Sequence, residues 1–126
     1  MESILIIDDD INLCSILAEE LAEELAEVGY ETNFLTGGEN VSDYIKTNPV
    51  DLILLDLKMS GKDGFQVLHE IGYDRGSGPN VIVLTAYADV KSAIDAAKLG
   101  ATDFISKPYD FDELLIAIRK VLQKDN

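Results

Sequence analysis

Three aliphatic runs and one more polar β-favouring segment of this chain each stop at a side chain able to do chemistry. Ile4–Ile7 is followed by Asp8, Asp9 and Asp10, Leu52–Leu55 by Asp56, Val81–Leu84 by Thr85, and Asp103–Ser106 by Lys107. Brought to one rim, carboxylates of this kind repel and raise one another's pKa unless a cation intervenes. Hard oxygen donors at an open rim suit Mg²⁺, which keeps several waters and takes only one or two carboxylates. Each residue alone also has an ordinary reading: aspartates open turns and cap helices, Thr85 can cap the next helix, and Lys107 before Pro108 can be a surface lysine. Asp10 is expected to be such a cap. What marks a site is that all of them stand at the same kind of position, the C-terminal end of a strand.

The elements that must position them are legible in the spacing. Five strand-like runs, within 3–8, 31–36, 51–56, 80–85 and 102–107, are each followed by a polar break and a helical pattern, which is a (βα)5 chain. The first, third and fourth runs lack polar alternation, as strands covered on both faces do, and belong at the centre of a sheet. Cys14, Leu17, Leu21, Leu25 and Val28 follow the helical period, with Glu19, Glu20, Glu23, Glu24 and Glu27 mostly opposite, so one long first helix is predicted, stopped by Gly29. Further helices are predicted over about 39–46, 65–71, 90–99 and 111–122. Right-handed crossovers favour a doubly wound five-stranded parallel sheet; its order, 2-1-3-4-5, is taken from flavodoxin-like sheets rather than derived from the residues. In that order the first and third strands lie side by side, and ligands bind beyond their C-termini.

Composition narrows the function. The 126 residues close one core, so a single domain over 1–126 is expected. With 24 acidic against 10 basic residues the net charge is −14, which repels nucleic-acid backbones and anionic lipid. Cys14 has no cysteine partner and falls in an apolar-periodic segment, which fits a reduced compartment and a packing role. There is no basic-then-apolar leader and no apolar run of membrane-spanning length, so a cytoplasmic protein is expected. His69, the single histidine, has no metal-ligand partner at a useful spacing and is read as structural or exposed.

The stretches ILIIDDD, DLILLDLKMSGKDGF, VIVLTAYAD and GATDFISKPYD, in this order, resemble the receiver domains of response regulators in two-component signalling across essentially the whole chain. The resemblance implies that Asp56 accepts a phosphoryl group from a sensor histidine kinase or a histidine phosphotransfer protein. It further implies that Asp8 and Asp9 hold Mg²⁺ with Asp56 and the backbone carbonyl of Lys58, and that Lys107 contacts the phosphoryl oxygens. Thr85 and Phe104 match the family's switch hydroxyl and switch aromatic, a downstream protein effector reads the switched face, and the Lys107–Pro108 peptide is expected to be cis.

Ser60 stands where this family commonly has proline, the first helix is about a turn longer than usual, and no effector domain follows Asn126. None of these is expected to touch the chemistry, and the last leaves a stand-alone receiver and a part of a longer regulator equally open. A different class, the haloacid-dehalogenase-like phosphatases, shares the Asp8-x-Asp10 spacing and would make Asp8 the nucleophile; Asn12, where that class has threonine or valine, and the short chain speak against it. Flavin binding is disfavoured because three aspartates after the first strand repel a phosphate. A phosphorylation-independent interaction module would be favoured by loss of the acidic pair, Asp56 or Lys107, and all are present. Lys58 and Tyr87, two positions beyond Asp56 and Thr85, are expected to edge the site.

Overall fold

Strands that are apolar on both faces need cover on both faces, and the computed structural model, which describes residues 3–72, 79–86 and 89–122, provides it. Strands β1 (Ser3–Ile7), β2 (Glu31–Leu35), β3 (Leu52–Leu55), β4 (Asn80–Thr85) and β5 (Asp103–Ser106) form one parallel sheet in the order β2-β1-β3-β4-β5. Helices α1 (Ile11–Glu24), α2 (Val41–Thr47), α3 (Gly64–Gly72), α4 (Val90–Lys98) and α5 (Phe111–Leu122) follow the strands in turn. This is the predicted flavodoxin-like architecture, with the non-alternating runs as the three central strands.

Side chains of the central strands alternate between two cores. Ile4, Ile6, Leu52, Leu54, Ile82 and Leu84 pack with Cys14, Leu17 and Leu21 of α1 and Leu114 and Ile118 of α5. Leu5, Ile7, Ile53, Leu55, Val81 and Val83 pack on the opposite face with Val41 of α2, Val67 and Leu68 of α3 and Ala96 of α4. Outer strands β2 and β5 keep exposed positions, as sheet edges do.

The first helix departs from its predicted extent. Asp10 caps α1 by accepting from the Leu13 N–H at 3.1 Å, as expected, but the α-helix ends at Glu24 rather than running to Val28. Leu25, buried at 2% exposure, leaves helical geometry, and Ala26–Val28 form a 3₁₀ turn closed by Gly29 at φ 77°. A tighter turn is a usual way to use up the last unpaired carbonyls of a helix. Arg119 of α5 also donates to the Glu24 carbonyl at 3.5 Å.

Register fixes the rim. Ile7 pairs with Leu55 and Leu55 with Val83, while Thr85 pairs with Ser106. Asp8 and Asp56 are therefore the next residues on adjacent strands, and Lys107 follows Ser106 beside the end of β4. Backbone bonds carry this alignment past the strands: Asp56 N–H to the Ile7 carbonyl at 2.9 Å, and Lys107 N–H to the Thr85 carbonyl at 2.8 Å.

Candidate phosphoacceptor and cation site

Asp8, Asp56 and Thr85 are the buried polar residues among those described, at 3%, 8% and 0% exposure. A charge removed from water needs a partner, and here it is Lys107. Its Nζ lies 2.6 Å from Asp8 Oδ2 and 3.7 Å from Asp56 Oδ2. Asp8 Oδ1 accepts from the Asp10 N–H at 2.9 Å. Asp56 Oδ1 accepts from the Lys58 N–H at 3.3 Å, and the Thr85 hydroxyl also bonds this carboxylate. Burial holds the Asp56 pKa above the ordinary aspartate value; Lys107 opposes the shift, the Asp8 charge adds to it, and the bonds from Lys58 and Thr85 oppose it.

Asp9 is exposed, yet its Oδ2 accepts from the Ser60 N–H at 3.0 Å. One oxygen from each of Asp8, Asp9 and Asp56 lies within 4.8 Å of the others. A compact set of hard anionic oxygens at the rim fits a divalent cation such as Mg²⁺, and it is the only such group among the described residues.

The structure places Asp8, Asp9, Asp56, Lys58, Thr85 and Lys107 together at the rim. Phe104 lies on β5, partly buried against the core on the α2, α3 and α4 side. The Lys107–Pro108 peptide is cis. Thr85 is not the cap of α4; Asp89 is, accepting from the Ser92 N–H at 2.7 Å. Tyr87 lies outside the described residues.

Three features escaped the sequence reading. Ser60, read in the sequence only as a departure from proline, donates its N–H to Asp9. Gly64, first residue of α3, backs directly onto the Asp56 carbonyl and the Leu57 backbone, leaving no space for a Cβ. The Cys14 thiol lies beneath the site, donating to the Asp8 carbonyl at 3.3 Å, and burial, with the Asp8 and Asp10 charges, pushes its pKa up to about 11. A backbone N–H has no residue signature, so Ser60 offered no signal beyond being an exception to proline; the glycine after Lys62-Asp63 was a visible one.

The doubly wound sheet thus carries acidic groups at its β1 and β3 ends and a lysine after β5, and comparison with known proteins gives the family that shares this fold. The chain matches the response regulator receiver domain over residues 4–119 and belongs to that family. It is similar to the transcriptional regulatory protein ZraR of Escherichia coli (strain K12), 36% identical over 119 residues, covering 94% of this chain and 26% of the relative. The chain thus spans about a quarter of the length of that relative. Among solved structures it is similar to the signal receiver domain of a DNA-binding response regulator from Colwellia psychrerythraea 34H, with a TM-score of 0.88 and 27% identity over 98% of this chain and 99% of the other. The response regulator TrrA of Thermotoga maritima, solved in complex with Mg²⁺–BeF, is similar with a TM-score of 0.78 and 32% identity, covering 96% of this chain and 99% of the other. The phosphatase alternative finds no support: Asp10, its required acid, is occupied as the α1 cap. No helix among the described residues is long and apolar enough to cross a membrane.

Proposed function

We propose that residues 1–126 are a single receiver domain that accepts a phosphoryl group on Asp56 from a sensor histidine kinase or a histidine phosphotransfer protein in the cytoplasm. The observation that carries this is the Asp56 carboxylate at the end of central strand β3, within 3.7 Å of the Lys107 ammonium and clustered with two further carboxylates. An Asp56 oxygen attacks the phosphorus of a phosphohistidine, an O–P bond forms as the N–P bond breaks, and the imidazole departs with the electron pair. Such transfers depend on in-line placement and on neutralising charge at the equatorial oxygens. The rigid strand end supplies the aim, and Lys107 supplies a positive charge beside the acceptor. Asp8, Asp9, Asp56 and the Lys58 carbonyl would hold Mg²⁺, which when bound offsets the negative charge of carboxylates and phosphoryl group together.

The product carries new acceptor oxygens next to Thr85. Its hydroxyl, now on Asp56, turns to a phosphoryl oxygen, and Phe104 moves into the space this vacates. Exposed apolar side chains lie on the elements beside that switch, Val90 at 76% and Ile94 at 50% on α4 and Ile116 at 66% on α5, which suits a face read by a downstream protein effector, fused or separate. Similar proteins are named for transcriptional regulation and DNA binding; the charge of −14 disfavours direct contact of these residues with a nucleic-acid backbone.

The test is intact mass after incubation with acetyl phosphate and Mg²⁺, with peptide mapping of the adduct and a pulldown comparing beryllofluoride-treated and untreated protein. One phosphoryl adduct on Asp56, absent in Asp56→Asn, is the expected result. An adduct mapped to Asp8 overturns the assignment.

A further inference from the structure

Of the three clustered carboxylates, Asp9 is the exposed one. An exposed aspartate samples several rotamers, and ordering it on a ligand carries an entropic cost that a prior tether removes. The tether here comes from the loop between β3 and α3. Leu57 and Met59 of that loop are buried, which leaves Lys58 and Ser60 on the exposed side facing the rim. Ser60 then donates its N–H to Asp9 Oδ2 at 3.0 Å across 51 residues of chain. A carboxylate has about four lone-pair sites, so one N–H orients it without saturating it.

The loop is itself pinned at its far end. Lys62 N–H donates to Glu39 Oε2 at 3.0 Å, and Gly61, in left-handed backbone at φ 77°, lies so close to the same carboxylate that a Cβ there would displace it. The Lys62 side chain pairs separately with Glu70 of α3 at 2.8 Å. Its register over the rim is thus set from two other elements, the loop before α2 and helix α3.

We propose that Ser60 is a positioning residue, whose backbone N–H preorganises Asp9 for a divalent cation shared with Asp8 and Asp56, and that Glu39 fixes the loop carrying this donor. The inference rests on the cation-site reading above. It is particular to this chain, because the proline common at this position in the family has no N–H to give.

Because the donor is backbone, only proline removes it. Calorimetric Mg²⁺ titration of the unphosphorylated protein is therefore compared for wild type, Ser60→Ala and Ser60→Pro, with melting curves confirming the fold. Outer partners of metal ligands typically change affinity by about 10–100-fold, and an exposed one belongs at the low end, so Ser60→Pro is expected to bind Mg²⁺ about 10-fold more weakly. Ser60→Ala keeps the N–H and is expected to retain wild-type affinity. Glu39→Ala, which frees the loop while leaving Ser60 in place, carries the test if Ser60→Pro does not fold, with a smaller loss in the same direction. Unchanged or tighter binding by Ser60→Pro, or an equal loss in Ser60→Ala, overturns the inference while leaving the cation site standing. A wild type that shows no Mg²⁺ binding overturns both.

Discussion

Replacing Lys107 by methionine keeps the aliphatic stem and removes the charge that neutralises Asp8. At an effective dielectric of about 20, unit charges separated by the observed 2.6 Å attract by roughly 6 kcal/mol, most of it offset by desolvating the ammonium. The net effect is better judged from what remains after the change. Asp8 is then buried with no counter-charge, and removal of one partner from a buried pair costs about 3–5 kcal/mol. The Lys107 side chain is 18% exposed, so water reaches the rim, and about 2–3 kcal/mol is the expected loss. For a chain of this size that corresponds to a fall in Tm of about 10 °C.

Melting followed by circular dichroism at neutral pH, with the metal chelated, measures it. Saturating Mg²⁺ is expected to raise the Tm of Lys107→Met more than that of wild type, because a bound cation takes over the missing positive charge. The deficit also narrows as pH falls, since loss of Lys107 drives the Asp56 pKa higher still and protonation relieves the cluster. Lys91→Met is the control: its pair with Asp95 is nearly as short, at 2.9 Å, but Lys91 is 85% exposed, and no measurable shift is expected. If Lys107→Met melts no lower than Lys91→Met, burial does not set the strength of this pair and the reasoning fails.

Asp56→Asn is expected to melt higher than wild type at neutral pH. Burial raises the folded pKa of Asp56 above 3.8, so the native state keeps a proton the unfolded state has lost, and stability falls as pH rises through that window; melts below pH 3.8 should show no gain over wild type. Gly64→Ala forces a Cβ against the Asp56 and Leu57 backbone and is expected to destabilise by about 1–3 kcal/mol in urea unfolding; a neutral result would mean that α3 shifts freely. Asp9→Ala is expected to raise the metal-free Tm slightly and reduce the Mg²⁺ response, and an intact response removes Asp9 from the cation site.

The rim was legible because two strong signals coincide there. Runs such as LILL, buried at every position, announce central strands, and a polar residue directly after such a run has to stand at the end of the sheet. Neighbouring ends then follow from strand order, and the pairing of Ile7 with Leu55 needed no special residue. Much less was legible where side chains meet backbone. Lys107 bonds Asp8 at 2.6 Å and stands 3.7 Å from Asp56, a difference that depends on rotamers and on which carboxylate lies deeper. The early end of α1 at Glu24 was hidden because the apolar period carries straight through Leu25, which stays buried after the helix has ended.

Three aspartates of identical chemistry are made unequal by the fold, and the different roles proposed for them follow from that inequality. Asp8 has an oxygen on the Asp10 N–H and the other on Lys107, so its charge is already answered. Asp9 remains at the surface, aligned from outside by a backbone donor, which suits a ligand that must meet an arriving hydrated cation. Asp56 is buried, with Lys107 too distant from Oδ2 to hydrogen-bond it and an Oδ1 contact of 3.3 Å that is long for a charged acceptor. Of the two buried carboxylates it is the one less quenched by Lys107, and the Lys58 N–H and the Thr85 hydroxyl hold it in place. The nucleophile's role proposed for Asp56 needs that combination, and the end of a central strand, fixed by backbone bonds on one side and open at the rim on the other, is where this fold provides it.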